Sequence, residues 1–214
     1  MTQAQYDNGC RHGKVLALKN ANDEKYGPWS STYNSPFNTH TSTDYPYAPN
    51  LKLAYDDITS GYDALSVNIT YVEYEYNYAW YYCNAYQDGV TKSFTTSSAW
   101  YLPSSGEWWD IFENLGSWTS KQKNIIRSMH YSNTHVGYDV LSDLDGSYFD
   151  ELNEKMQAVN GHKIIPGSGT YYFWTATETY SNDALHANFY KNNININGYD
   201  KTSNSNCYRS VLAY

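Results

Sequence analysis

The residues of this chain best suited to chemistry are amides and phenols rather than acids, thiols or imidazoles. Between Asn188 and Asn206 the sequence runs NFYKNNININGYDKTSNSN. An Asn amide offers a donor and an acceptor, and Tyr offers a rigid face with a hydroxyl at its tip, so the pair suits gripping a ligand rather than breaking bonds. Asn is depleted in strands because its short side chain competes for backbone hydrogen bonds. Folding alone therefore does not account for so many of them in what otherwise reads as a β-hairpin.

The other reactive side chains form no recognisable set. His130, His135 and His162 are scattered, and there is no G-x-S-x-G elbow, no H-E-x-x-H and no phosphate loop. Cys10, Cys83 and Cys207 are odd in number and far apart, which excludes a disulfide framework and leaves at least one thiol free. No C-x-x-C or H-x3-H spacing points to zinc. In SDLDGSYFDE, Asp143, Asp145, Asp150 and Glu151 bring oxygen ligands close together without the spacing of an EF-hand loop, and Asp145-Gly146 reads as a turn before a helix. Asn68-Ile69-Thr70 matches a glycosylation triplet. The expectation is no catalytic residue, no metal and no cofactor.

The elements that must position the amides can be read from period and punctuation. GKVLAL, from Gly13, is a short strand followed by a polar loop; residues 30–50, with no period, read as an extended loop over the body. Residues 69–86 alternate like a strand, yet Val72, Tyr76, Trp80, Cys83 and Tyr86 also make a helical stripe, and length favours the helix. In WYLPSSGEWWDIFENLG, Pro103 blocks helix, Ser104 and Glu107 form a capping box, and Trp108, Ile111, Phe112 and Leu115 make one apolar face up to Gly116. Further helices are expected over Ser120–Met129 and after Ser147, the latter with Phe149, Leu152, Met156 and Val159 on one face. The last quarter, TYYFWTATE, ALHANFY, NININ and YRSVLAY, reads as an antiparallel meander. Within it Leu185, Ala187, Phe189, Ile194 and Ile196 turn to one side, and Asn193, Asn195 and Asn197 to the other.

Composition narrows the partners. The net charge of −8, from 22 acidic and 14 basic residues with no basic run, argues against nucleic acid. No apolar run approaches the ~20 residues that span a bilayer, so no membrane insertion is expected. MTQAQYDNGC lacks the apolar stretch of a signal peptide. The chain holds 25 Tyr and 7 Trp, so much of its apolar surface carries a polar handle. Its length of 214 residues fits a single domain, 1–214, able to bury a real core.

Cys83-x-x-Tyr86-x-x-Gly89 followed by AWYLPSSGEW, then FWTATE, then a terminal YRSVLAY, resembles bacterial and phage domains in which a W-x-LPS-x-x-EW helix start precedes a YWSSTE-like strand and a VRPVLAF-like ending. The resemblance covers roughly residues 80–214 and implies a C-type-lectin-like fold: α+β, short helices packed around small antiparallel sheets with long loops. Within that group the chain resembles the variable proteins of diversity-generating retroelements, in which template adenines are replaced and AAC or AAT codons are the main targets. Changing the first two bases of an Asn codon reaches Tyr, Ser, Asp, His, Ile, Thr and Leu, and never a stop. Asn182, Asn188, Asn192, Asn193, Asn195, Asn197, Asn204 and Asn206 lie among such products. The family's Val-Arg-Pro is replaced here by Tyr208-Arg209-Ser210, with Arg209 retained.

The resemblance implies a variable region over 174–208 and, through the alternation of the strands, a ligand-binding set. That set is Thr179, Tyr180, Asn182, Asp183, Leu185, His186, Tyr190, Lys191, Asn192, Asn195, Asn197, Tyr199, Asp200, Ser203 and Asn204. The function implied is a receptor-binding or adhesin-type protein on a phage virion or bacterial cell surface, with an unknown surface protein or glycan as partner. Two alternatives remain: a structural or assembly module of a fimbria or tail, and a formylglycine-generating type of oxidase, whose C-terminal site CYR at Cys207 resembles. Those oxidases need a second thiol nearby, and Cys10 and Cys83 are distant in sequence.

Overall fold

The computed structural model describes residues 3–7, 10, 13–31, 51–58, 61–62, 78–86, 97–132, 149–164, 171–180, 182–190 and 193–214. In chain order the elements are α1 (Gln3–Asp7), β1 (Lys14–Leu16), a short 3-10 turn (Asn22–Glu24), α2 (Leu51–Asp56), α3 (Tyr78–Ala85), α4 (Ser105–Leu115), α5 (Ser120–Ser132), α6 (Asp150–Ala158), β2 (Tyr171–Glu178), β3 (Asp183–Tyr190), β4 (Asn193–Asp200) and β5 (Val211–Ala213). This is the α+β class, with short helices around small antiparallel sheets, that the lectin-like resemblance implies. The expected loop over 30–50 and the turn at Asp145 fall outside the described residues from 32 onward and from 133 to 148.

Local signals account for the helices. Ser104 caps α4: its side chain accepts from the Glu107 backbone, and Glu107 Oε2 accepts from Ser104 N at 2.9 Å. The buried Glu107 also takes the Tyr101 hydroxyl at 2.8 Å and the Lys14 ammonium at 2.6 Å, so one carboxylate joins the cap to β1. Gly106 is required by approach: a Cβ there would stand 2.4 Å from the Asp57 carbonyl oxygen. Thr119 and Gln122 make a second reciprocal cap before α5, their contacts 2.8 and 3.2 Å. The left-handed residues that end α4 and α6 are Ser117 and Asn160, rather than the glycines beside them. The helix expected over 69–86 is seen as α3, its Ala79, Trp80 and Cys83 buried; 69–77 lie outside the described residues.

The tail departs from the expected meander in one respect. β2, β3 and β4 do form an antiparallel sheet in sequence order, but β5 leaves it and pairs with β1, Lys14 opposite Ala213 and Leu16 opposite Val211. An alternating run identifies a strand and not its partner; here the partner lies near the other end of the chain. Two hydrophobic clusters flank β2. Phe173 joins Leu185, Ala187, Ile194 and Ile196 in one, and Trp174 and Ala176 join Ala184, Trp29, Trp80 and Tyr208 in the other.

Candidate ligand-binding face

Cross-strand register shows which side chains share a face of the β2–β3–β4 sheet. Tyr172 lies opposite Asn188 and Trp174 opposite His186; His186 in turn lies opposite Asn197, Asn188 opposite Asn195, and Ala184 opposite Tyr199. The amide-rich positions of β4 thus sit on the same side as the aromatic positions of β2. Ile194, Ile196, Leu185 and Ala187 hold the other side in the core.

The centre of this face is an aromatic stack. The His186 ring lies nearly parallel to Tyr199 at 4.8 Å, 5.3 Å from Tyr172 and 6.1 Å from Trp174. Trp174 Nε1 donates to the Gly27 carbonyl at 2.9 Å, and Trp29 Nε1 donates to the Thr175 carbonyl at 2.8 Å, so residues 27–29 clamp onto β2. His186 Nδ1 faces Asn206 Oδ1 at 3.3 Å, while Nε2 meets no hydrogen-bond partner among the described residues. Burial pulls the His186 pKa down to about 4, with Asn206 and Asn197 partly opposing it. The ring is therefore neutral at pH 7.

At one end of the sheet the β2–β3 turn closes through Thr179 N and Asp183 N, which donate to the Asp183 and Tyr180 carbonyls at 3.1 and 3.2 Å. The loop after β4 lies against it, Lys201 N donating to the Asn182 carbonyl at 3.1 Å. Asp200 Oδ1 accepts from Thr202 N and its hydroxyl at 2.8 and 2.6 Å. Asp183 faces Asp200 in register, and burial, then that neighbouring carboxylate, hold the Asp183 carboxyl above its ordinary range. Among the described residues no group of three His, Cys, Asp or Glu is placed to hold a metal ion.

Comparison with family models and with curated proteins gives no match. A crystal structure of a fimbrial protein from Bacteroides ovatus aligns with 96% of this chain at 21% identity and a TM-score of 0.49. The chain spans 36% of that protein's length.

The expected binding set divides on burial. Tyr180 and Tyr199 are exposed at 54% and 40%, Asn182 and Asn204 are exposed, and Asp183, Asn197, Asp200 and Ser203 are half-buried. Seven of these eight gather at the turn end of the sheet and in the loop after β4, and Asn197 lies on the shared face. Thr179, Leu185 and His186 are corrections, being buried at 1%, 0% and 2%. Leu185 points into the main core, and His186 is enclosed by its stacked rings and Asn206. Asn188 and Asn206, placed among the diversifiable codons, are buried as well, and Asn206 bridges to Gly27 and faces His186. Tyr190 and Asn195 sit at known strand positions, their side chains outside the described set, as are Lys191 and Asn192.

Sequence reasoning missed Tyr172 and Trp174, although strand parity puts them on the amide side. All three cysteines are buried and none is in a disulfide, and burial pushes Cys83 up to about 12. Among the described residues no helix is long and apolar enough to cross a membrane.

Proposed function

We propose that the chain is a ligand-binding protein of receptor-binding or adhesin type, phage- or bacterium-encoded, presenting a changeable surface at the turn end of the β2–β3–β4 sheet. The supporting observation is the abrupt change in burial between neighbours. Thr179 is 1% exposed and Tyr180 54%; Lys201 is fully buried beside Asp200 and Ser203, which reach solvent. Exposed substitutions away from special features usually shift stability by less than about 0.5 kcal/mol, so Tyr180, Asn182 and Asn204 are positions that can vary while the layer beneath, with Tyr199 stacked on it, stays fixed. Exposed Tyr with Asn supplies area at low entropic cost together with adaptable hydrogen bonds, the chemistry of a paratope. The partner is a surface protein or glycan gripped by shape and polar contacts, and diversification by a retroelement supplies the variants.

The test is a library of the full chain randomised at Tyr180, Asn182 and Asn204, displayed and panned against immobilised bacterial surface proteins and glycans. Most members should fold with near-parental melting temperature and yield binders to more than one target. A library that mostly unfolds, or folds and never yields a binder, overturns the reading. In the genome, a template repeat differing from the coding sequence only at adenines, beside a reverse transcriptase, tests the diversification; its absence leaves a fixed binding protein or an assembly module.

A further inference from the structure

Helix α3 carries the half-buried Tyr81 and Tyr82, beside surface that shares only Asn204 with the binding positions assigned above. Two clefts meet along it. One, of about 400 Å³, has Tyr26, Tyr78, Tyr82 and Tyr208 in its walls with Asn22 and Asn204. The other, of about 670 Å³, has Tyr81, Tyr82 and Tyr86 with Lys19, Asn20 and Asp23. Tyr82 and Asn22 line both, so the two are compartments of one trough divided by the Tyr82 ring.

The walls are fixed from behind. Tyr82 stacks on the buried Tyr208 at 5.4 Å, and the Tyr208 hydroxyl donates to the Pro28 carbonyl at 2.8 Å. The Tyr86 hydroxyl accepts from Lys19 N at 3.1 Å. The fully buried Arg209 holds the floor, donating to Asn20 Oδ1 at 2.7 Å and to the Leu18 and His162 carbonyls at 3.1 and 3.0 Å. The rim turn carries consecutive non-glycine residues, Asn22 and Asp23, at φ 59° and 51°. Asn and Asp are the side chains that tolerate this left-handed geometry best, so the turn holds both polar groups at the rim without glycine.

We propose that this trough is a second binding site, for a neutral oligosaccharide with one sugar ring in each compartment on either side of Tyr82. A pyranose presents apolar C–H faces and a belt of hydroxyls. The tyrosine faces meet the first, and the Asn22 amide, Asp23 carboxylate and Lys19 ammonium meet the second. One ammonium beside one carboxylate gives no dominant sign for a strongly charged ligand, and the polar rim does not suit a lipid chain. Two compartments sharing one ring favour a ligand that repeats its stackable unit.

The test is calorimetric titration of the full chain, in EDTA, with gluco-, manno-, galacto- and xylo-configured pentasaccharides and the matching monosaccharides. At least one pentasaccharide should saturate the protein at sub-millimolar concentration, its monosaccharide binding about tenfold or more weakly. Tyr82 packs on a buried ring, so the informative variants are Tyr81→Ala and Asp23→Ala, which should each weaken binding about tenfold, the first at near-parental melting temperature and the second at a slightly lower one because Ala tolerates the left-handed turn less well than Asp. Tyr82→Phe should retain it. Failure of every sugar to bind at millimolar concentration, binding indifferent to Tyr81→Ala and Asp23→Ala, or selection of peptides but no sugar by the trough overturns the proposal. Asn182→Ala and Tyr199→Ala leave sugar binding unchanged, so failure here and failure of the sheet-end face are told apart.

Discussion

Lys201 donates its ammonium to the Glu178 carboxylate with both side chains buried, and the same ammonium lies 5.0 Å from the centre of the Trp29 ring. Glu178 ends β2 and Lys201 directly follows β4, so the pair ties the outer strands together beneath the proposed display surface. Burial pushes the Glu178 carboxyl up to about 7 and the Lys201 amine down, each partly held back by the other. The contact fixes geometry more than it adds net stability, because both charges lost their water to make it.

Breaking that pair from one side removes the nearest counterion of a buried charge. Lys201→Met should lower the unfolding free energy by about 3–5 kcal/mol, and adding Glu178→Gln should restore much of it. In the single variant Glu178 is tolerated only when protonated. Its raised pKa means that stability is present in acid and lost as pH rises, so the deficit should be larger at about pH 8 than at about pH 5. Urea titrations at both values check this; a single variant as stable as the parent at the higher pH would refute it.

His186 gives the opposite pH dependence. Its ring stays neutral in the fold down to about pH 4, whereas in the unfolded chain it takes up a proton near 6.5. Between those values only the unfolded state binds the proton, so the stability is whole above about pH 6.5 and falls with acid, by about 2–3 kcal/mol at pH 4.5. His186→Phe keeps a ring against Tyr199 and removes the titration. Its stability should therefore decline less than the parent's between about pH 7.5 and 4.5 in chemical denaturation, and equal declines would exclude His186 as the cause.

Substitutions should separate display from framework within a few residues of chain. Tyr180→Ser, Asn182→Tyr and Asn204→Tyr should each change stability by less than about 0.5 kcal/mol. Asn206→Ala should cost about 1–3 kcal/mol, because Asn206 is fully buried and its Oδ1 faces His186 Nδ1. Melting curves on the four proteins decide it: a costly Asn182→Tyr would mean that the turn is packed after all.

What was legible in the sequence was local. The Ser104–Glu107 cap needs only four residues, and the alternation of Ile194 and Ile196 with the asparagines of β4 is fixed by the strand's period of two. Parity says which side chains share a face, not what lies over that face. His186 reads as outward because it is polar, but Trp29 and Tyr208, remote in sequence, join Trp174 and Ala184 in one packed cluster there. The trough left no signal of its own, since segments 19–31, 78–86 and 202–208 meet only in the fold. The partner of β5 was invisible for the same reason.

Arg209 is the residue of the terminal motif whose retention the fold explains. Its guanidinium reaches Asn20 through Nη1 and the Leu18 and His162 carbonyls through Nη2, joining three segments in a fully buried position. A Lys ammonium is a compact point charge that cannot span the same acceptors, so Arg209→Lys is not conservative here. It should lose about 1–3 kcal/mol, from the charge-assisted hydrogen bonds to Asn20 and to the two half-buried carbonyls that a Lys cannot all make. Because Asn20 and His162 line the trough, amide exchange at His162, whose N–H donates to the Leu18 carbonyl at 2.7 Å, should accelerate far more than exchange in β3. Uniform acceleration across both would mean that Arg209 supports the whole fold and not this floor in particular.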